Sequence, residues 1–369
     1  MLGAIQEAPT PVAGPWSATW DNKLVLEAPG PSVLQVRARV FLEALVPSGT
    51  QNDGSQAENN TGIRSARIQS LLRTPSFRVR SQWEFSAGEV DFKELYAQTT
   101  ISGVTLRGGH HREPAGLEAL QGLPFNAFPE RSAPSQAFSP GRNMGLTASI
   151  RSGPWSGWAG VYREADEATL DLDGEGRSVT TRLTWIDGGT EPKETLVHLG
   201  TWLSYRDEGI RLRSRAGSVL VPRQIDTGSL DGADGLFGGL EAAWQRDGWT
   251  LSAEWFGADI GLEAGDGFLT GAYMGASWRP GGETRSYRRG NGTFRGFLPT
   301  NPNGALELAA RVGRTDLDGG GIEGGTQNDL SFGLNLQLSE RSRWMLHWQQ
   351  TRAGDADLRT VFVRVQVGL

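Results

Sequence analysis

Residues 77–85 read FRVRSQWEF, and their side chains divide by parity. Phe77, Val79, Trp83 and Phe85 fall on one face of an extended chain, while Arg78, Arg80, Gln82 and Glu84 fall on the other. The same two-residue period closes the chain, where Val361, Val363, Val365, Val367 and Leu369 oppose Phe362, Arg364 and Gln366. Segments of this kind, roughly ten residues long, recur between clusters of Gly, Pro, Asp, Asn and Ser, and helical periodicity is scarce. Such a strand has two homes. In a soluble sandwich or propeller the polar face points outward; in a transmembrane antiparallel β-barrel the apolar face meets lipid and the polar face lines the lumen. Three features favour the all-β barrel. The strands exceed the about five or six residues usual in soluble proteins. The connections alternate short and long. Trp155, Trp185, Trp244, Trp249, Trp278 and Trp344 recur near strand ends, where an aromatic girdle belongs.

The chain offers seventeen extended candidates between 33–46 and 358–369, and a single-chain bacterial barrel has an even number. Loop lengths select the one to remove. With a periplasmic carboxyl terminus, the turns around Glu340 and at Asp247-Gly248 are periplasmic and 316–327 is external. Striking 209–218 from the wall keeps the earlier turns in phase. The connections at Gly188-Gly189, Ser152-Gly153, Ser102 and Thr74-Pro75 become periplasmic, and 47–60, 113–142, 165–176 and 207–234 become external loops. The expectation is a barrel of 16 strands over 33–369, preceded by a periplasmic segment 1–32 whose start is either tag-like or a signal remnant.

Within the removed candidate, Arg211, Arg213 and Arg215 stand at every second position and Arg223 follows. In an extended segment they share one edge, which makes sense if this external loop folds into the barrel mouth. The chain is acidic, with net charge −6, yet 33 of its 36 basic residues are arginine, Lys23, Lys93 and Lys193 being the lysines. Guanidinium groups grip oxyanions with paired donors, although a GC-rich genome gives the same bias. Arginines alternating on a strand can equally be a solvated face paired with acids, here Asp207, Glu208 and Asp226.

Other chemistry is thin. Zero cysteines exclude a disulfide scaffold, and His110, His111, His198 and His347 have no metal-ligand spacing. His110-His111 reads as a lumen-facing pair. The acidic run within 165–176 lacks the order of an EF-hand and reads as a solvated loop, or one bridged to lipopolysaccharide by divalent ions. Arg289-Gly290-Asn291-Gly292 precedes no helix, so it is not a phosphate loop. No catalytic constellation is present, and neither an enzyme, a cofactor nor a nucleic-acid partner is expected.

The run LVHLGTWLSYRDEGIRLRSRAGSVLVPRQIDTGSLDGADGLFGGLEAAW resembles the phosphate-selective porin family, the phosphate and pyrophosphate porins of Gram-negative outer membranes. VTLRGGHHREPAGLEAL with its continuation to FPERSAPSQAFSPGRNMGL, GFLTGAYMGASWRPGGETRSY and GALELAARVGRTDLDGG agree, so the resemblance covers nearly the whole chain from about residue 33. It implies a homotrimer in outer-membrane lipid and lipopolysaccharide that passes phosphate or other anions. It also implies that the third and fifth external loops, 113–142 and 207–234, enter the pore, with a periplasmic segment, 279–303, below. The family's descending arginine row maps onto Arg211, Arg213, Arg215 and Arg223. Its central constriction maps onto Arg39, Arg64 and Arg131, with Ser65 in place of a second arginine beside Arg64. The family's third-loop lysine falls at or near Pro124, and its periplasmic lysine cluster would be replaced by Arg279, Arg285, Arg288, Arg289 and Arg295. The chain ends in Leu369 where such barrels commonly end in an aromatic residue. These departures leave anion passage as the expectation and weaken that of tight phosphate selectivity. The alternatives are a plugged structural barrel and a porin for organic anions.

Overall fold

The computed structural model describes residues 16–20, 23–51, 55–88, 90–165, 176–189, 194–262 and 265–368. Two short strands, β1 (Ser17–Trp20) and β2 (Leu24–Glu27), precede nine long ones. These are β3 (Val33–Thr50), β4 (Asn60–Arg73), β5 (Phe77–Glu84), β6 (Asp91–Ile101), β7 (Val104–Arg112), β8 (Arg142–Ser152), β9 (Trp155–Arg163), β10 (Arg177–Gly188) and β11 (Leu196–Asp207). The short β12 (Arg213–Arg215) and β13 (Arg223–Asp226) come next, then β14 (Asp234–Arg246), β15 (Trp249–Gly261) and β16 (Gly267–Trp278). The pair β17 (Tyr287–Arg288) and β18 (Thr293–Phe294) leads into β19 (Ala305–Gly319), β20 (Ile322–Gln337), β21 (Arg343–Ala353) and β22 (Ala356–Gly368). Helices α1 (Leu117–Leu120) and α2 (Ala133–Phe138) lie between β7 and β8.

Sixteen of these strands, β3–β11, β14–β16 and β19–β22, pair antiparallel in chain order, and β22 pairs with β3 from Asp357↔Thr50 to Gly368↔Arg39. Closure leaves the wall without an unpaired edge, as hydrocarbon requires. The candidate 209–218 lies outside the wall, as the loop phase demands. Below the β3–β22 seam, β2 pairs with Val33–Val36 of β3 and β1 pairs with β2, so the first described residues extend the sheet at the short-turn end.

The parity read from the sequence sorts the faces. Val363 and Val367 are 45 % and 42 % exposed while Phe362, Arg364 and Gln366 are buried. Leu240, Val312 and Phe332 join an outward apolar belt suited to lipid. All six tryptophans lie toward the short-turn ends of their strands, Trp155 opposite Trp185 and Trp249 stacked on Trp278 at 5.7 Å. The two-residue turn Asp247-Gly248 has φ of 47° and 82°, the left-handed pair that matches the twist of a tight hairpin.

One loop assignment is corrected. The segment 316–327 keeps its external side but is strand hairpin and not loop: β19 continues to Gly319 and β20 starts at Ile322. Leu317 and Ile322 stay buried on the inner face, the register shifts between Asp316 and Asp318, and Gly320-Gly321 turn the chain with φ of 58° and 86°.

Candidate functional site

The interior is divided lengthwise. On one side, the third loop and the fifth loop (208–233) pack against the wall from β11 to β20, and Ala216 and Val221 of the fifth loop also pack on Leu45, Leu358 and Phe362 of β3 and β22. Phe138, Leu212 and Ile225 from the loops join Trp202, Phe237 and Phe256 of the wall in one apolar cluster. Buried carboxylates rivet the third loop in place. Glu254 accepts from the backbone N–H groups of Leu117 (2.6 Å) and Glu118 (2.9 Å) and from the Tyr273 hydroxyl (2.7 Å). Glu118 in turn takes Arg311 (2.8 Å) and the N–H and hydroxyl of Ser132, the N-cap of α2. The other half of the interior, facing β3–β9, remains open as a cavity of about 940 Å³. Its lining runs from Gly62, near the long-loop end of β4, to Arg341 in the turn before β21.

Fourteen Arg or Lys side chains line this cavity against three carboxylates, Glu84, Asp91 and Glu94. Each carboxylate already faces a cation of the lining: Arg67–Glu84 at 2.7 Å, Lys93–Asp91 at 2.8 Å and Arg80–Glu94 at 2.9 Å. Of the fourteen, Arg64 and Arg182 also pair with Glu130 and Glu241, which lie outside the lining, and the lumen still carries a large positive excess inside an acidic protein.

In the fifth loop Arg211, Arg213 and Arg215 alternate with buried residues and lie outside the cavity lining. Leu212, Ser214 and Ala216 turn into the packed side, leaving Arg213 and Arg215 partly exposed and Arg211 exposed. β12 and β13 form a hairpin in which Arg213 opposes Asp226 and Arg215 opposes Arg223. Asp226 is held by a bidentate contact from Arg211, both bonds at 2.7 Å. Desolvation and the nearby Arg213 and Arg215 lower the Arg223 guanidinium to about 10. Like charges facing each other across a hairpin are unfavourable unless an anion lies between them. Arg215 is fixed by a 2.6 Å bond to the Val221 carbonyl and lies within electrostatic reach of Arg64, linking the row to the deeper cluster.

That cluster depends on a feature periodicity conceals. Phe41 pairs with Ser65, but Leu42 pairs with Ile63, so Arg64 is an extra residue in β4. Such a bulge lets consecutive residues aim the same way, and both Arg64 and Ser65 line the cavity. Arg64 grips Glu130 of the third loop, which also takes Arg364 at 2.9 Å. Burial opposes ionisation of Glu130, but Arg64 and Arg364 outweigh it and hold the carboxyl at about 2. Ser65 donates to Glu84. Arg39 reaches the same cavity, its guanidinium over the Phe41 ring at 5.0 Å, and its Nε has no hydrogen-bond partner among the described residues. Arg131 also lines it while donating to the Glu118 and Gln121 carbonyls.

The periplasmic arginines separate into two groups. Arg279 and Arg285 are buried on Glu307 at 2.8 and 2.6 Å and brace the segment against the wall. Arg288 and Arg295 reach the cavity, and Arg289 contacts the Gly153 carbonyl at 3.4 Å. The histidine pair is absent from the cavity lining. His110 and His111 are both buried, and His111 bonds Thr147 at 2.7 Å. The acidic run 166–175 lies outside the described residues. Among the described residues no group of His, Cys, Asp and Glu is placed to hold a metal. Sequence reasoning passed over Arg107, Arg112, Arg142 and Arg341, all in the cavity lining. Parity in β7, where Thr105, Arg107 and Gly109 alternate with Leu106, was the available signal for Arg107. The other three sit where strands meet loops and parity is silent.

Residues 51–360 match the family model described as phosphate-selective porin O and P. The chain belongs to this family. An uncharacterized protein of Caulobacter vibrioides is 30% identical over 278 residues; the match covers 68% of this chain and 56% of that protein, so this porin spans little more than half the length of that relative. Among solved structures, a loop-deletion mutant of OmpT of Vibrio cholerae is similar with a TM-score of 0.62 and 7% identity, covering 92% of this chain and 100% of the other. The anion-selective porin from Comamonas acidovorans is similar with a TM-score of 0.61 and 13% identity, at the same coverages. A trimer form of OmpT has a TM-score of 0.58 and 8% identity, covering 92% and 100%. At these identities the likeness is one of fold. Family and fold place this porin in the bacterial outer membrane.

Proposed function

We propose that this porin is a passive channel for small anions, inorganic phosphate among them, and that the arginines of the fifth loop and the cavity form the pathway. The observation that carries this reading is the continuous cavity from Gly62 to Arg341 with its fourteen cationic side chains against three carboxylates. The family's description and the anion selectivity stated for the Comamonas acidovorans porin agree with it. Net charge does not decide selectivity, because a low-dielectric wall focuses the field of the charges it encloses.

Conduction needs attraction strong enough to replace part of an ion's hydration and weak enough to release it. Alternate residues of an extended strand lie roughly 6.6 Å apart, so Arg211, Arg213 and Arg215 offer successive sites of similar depth. An anion entering at Arg211 would pass to the Arg213, Arg215 and Arg223 group, then to Arg64 and Arg39, and leave by Arg288 and Arg295. Ser65, where the family resemblance implies a second arginine, keeps the centre shallow and favours flux over tight binding. We further propose that the working unit is a homotrimer, as in the trimer form of OmpT.

Chloride current through the purified protein in a planar bilayer, with phosphate titrated in, tests this reading. A fall in current as phosphate occupies the pathway is expected. Anion current indifferent to phosphate would leave a general anion pore, and absence of current would leave a plugged structural barrel.

A further inference from the structure

The arginine side of the cavity faces an apolar one. Along the loops, Val219 and Leu220 of the fifth loop and Leu120, Leu123, Pro124 and Phe125 of the third line the same cavity as the arginines. Leu220 stands against Gly62 at the outer end, and its carbonyl accepts from Asn60 at 3.2 Å. Phe125 lies at the other end, beneath the Arg295 guanidinium at 5.8 Å. The strip therefore follows the cavity along its length. Val219 is 42 % exposed, and Leu120, Pro124 and Phe125 are partly exposed. Side chains that face an ion pathway need no apolar packing, so hydrophilic residues would serve a bare inorganic anion better. Across the cavity, Arg39, Arg67, Arg107 and Arg142 supply the charge from β3, β4, β7 and β8.

We propose that the preferred permeant is an organic anion with an apolar body, its phosphate or carboxylate head on the arginine side and its body against the Leu120–Phe125 strip. This rests on the anion-channel reading and names the substrate class of that same pathway. Two-sided recognition of this kind desolvates the apolar body while the head keeps its paired donors.

Block of chloride current by phenyl phosphate and by glycerol phosphate separates the possibilities. The two monoesters carry the same head and differ in whether the body is apolar or hydroxylated. Phenyl phosphate is expected to block at about tenfold lower concentration. The double variant Leu120→Gln, Val219→Thr should abolish that difference while block by glycerol phosphate stays as it was. Equal block of the wild-type channel by the two esters, with anion current intact, overturns the proposal without touching the channel reading. Cation-selective or absent chloride current overturns both. The wild-type comparison stands even where the double variant fails to assemble.

Discussion

At the residue scale, the arginines fall into two populations that composition cannot separate. Arg182, Arg279, Arg311 and Arg364 are buried in ion pairs with Glu241, Glu307, Glu118 and Glu130 and hold loops to the wall. Removing one partner would strand a buried charge, a cost of about 3–5 kcal/mol, so these positions belong to stability. Arg39, Arg213, Arg215 and Arg223 have no ion pair among the described residues and belong to the pathway proposed above. Arg211 is intermediate, because Asp226 compensates it at the mouth. Asp226→Asn is expected to raise the rate of phosphate block a few-fold at low salt and to do little near 1 M, where screening operates within about 3 Å. Block kinetics at two ionic strengths check this. Ser65→Arg would put a guanidinium beside Glu84 on the inward bulge and should strengthen phosphate block of chloride current several-fold; unchanged block would count against a shallow centre at this position. Glu130 sets a pH window. Its carboxyl is held at about 2 against an ordinary 4.5, so its contribution is fully present above about pH 4.5 and is lost as pH falls through about 2. Channel current should therefore stay quiet from neutrality to about pH 4.5 and become noisy only below, as the third loop loses its tie to Arg64 and Arg364.

At the scale of elements, the wall was legible and the loops only in part. Strands announce themselves because lipid on one side and water on the other enforce strict alternation, as in β5 and β22. The even-strand requirement then exposed 209–218 as a loop segment, and β12 lies within it. Three features escaped for identifiable reasons. The Arg64 bulge adds one residue to β4, and alternation alone cannot report a residue that breaks it. The Gly320-Gly321 turn was hidden in a glycine-rich stretch that reads equally as a loop. The burial of His111 depends on Tyr96, Thr147 and Tyr162 of other strands, contacts that the alternation of its own strand does not report. Packing of that loop supplies its own test. A Cβ on Gly271 would lie 2.7 Å from Pro134 Cβ and 3.0 Å from the Phe138 ring, so α2 can approach β16 only over glycine. Gly271→Ala should cost about 1–3 kcal/mol and shift α2, read as a lower thermal midpoint together with altered single-channel conductance.

At the scale of the whole molecule, a chain of net charge −6 encloses a lumen of opposite sign. The fold makes this possible by segregation. Half of the interior is packed with loops, and buried glutamates of loops and wall neutralise wall arginines such as Arg182, Arg311 and Arg364. The other half keeps its arginines in excess over the three carboxylates that line it. In the proposed channel the enclosed charge, not the total, sets selectivity. The reversal potential of the purified channel across a KCl gradient measures that most directly. A potential close to the chloride equilibrium value is expected, moving toward zero as both salt concentrations rise and screening shortens. A potential near that of potassium, or one at zero already in dilute salt, would contradict it.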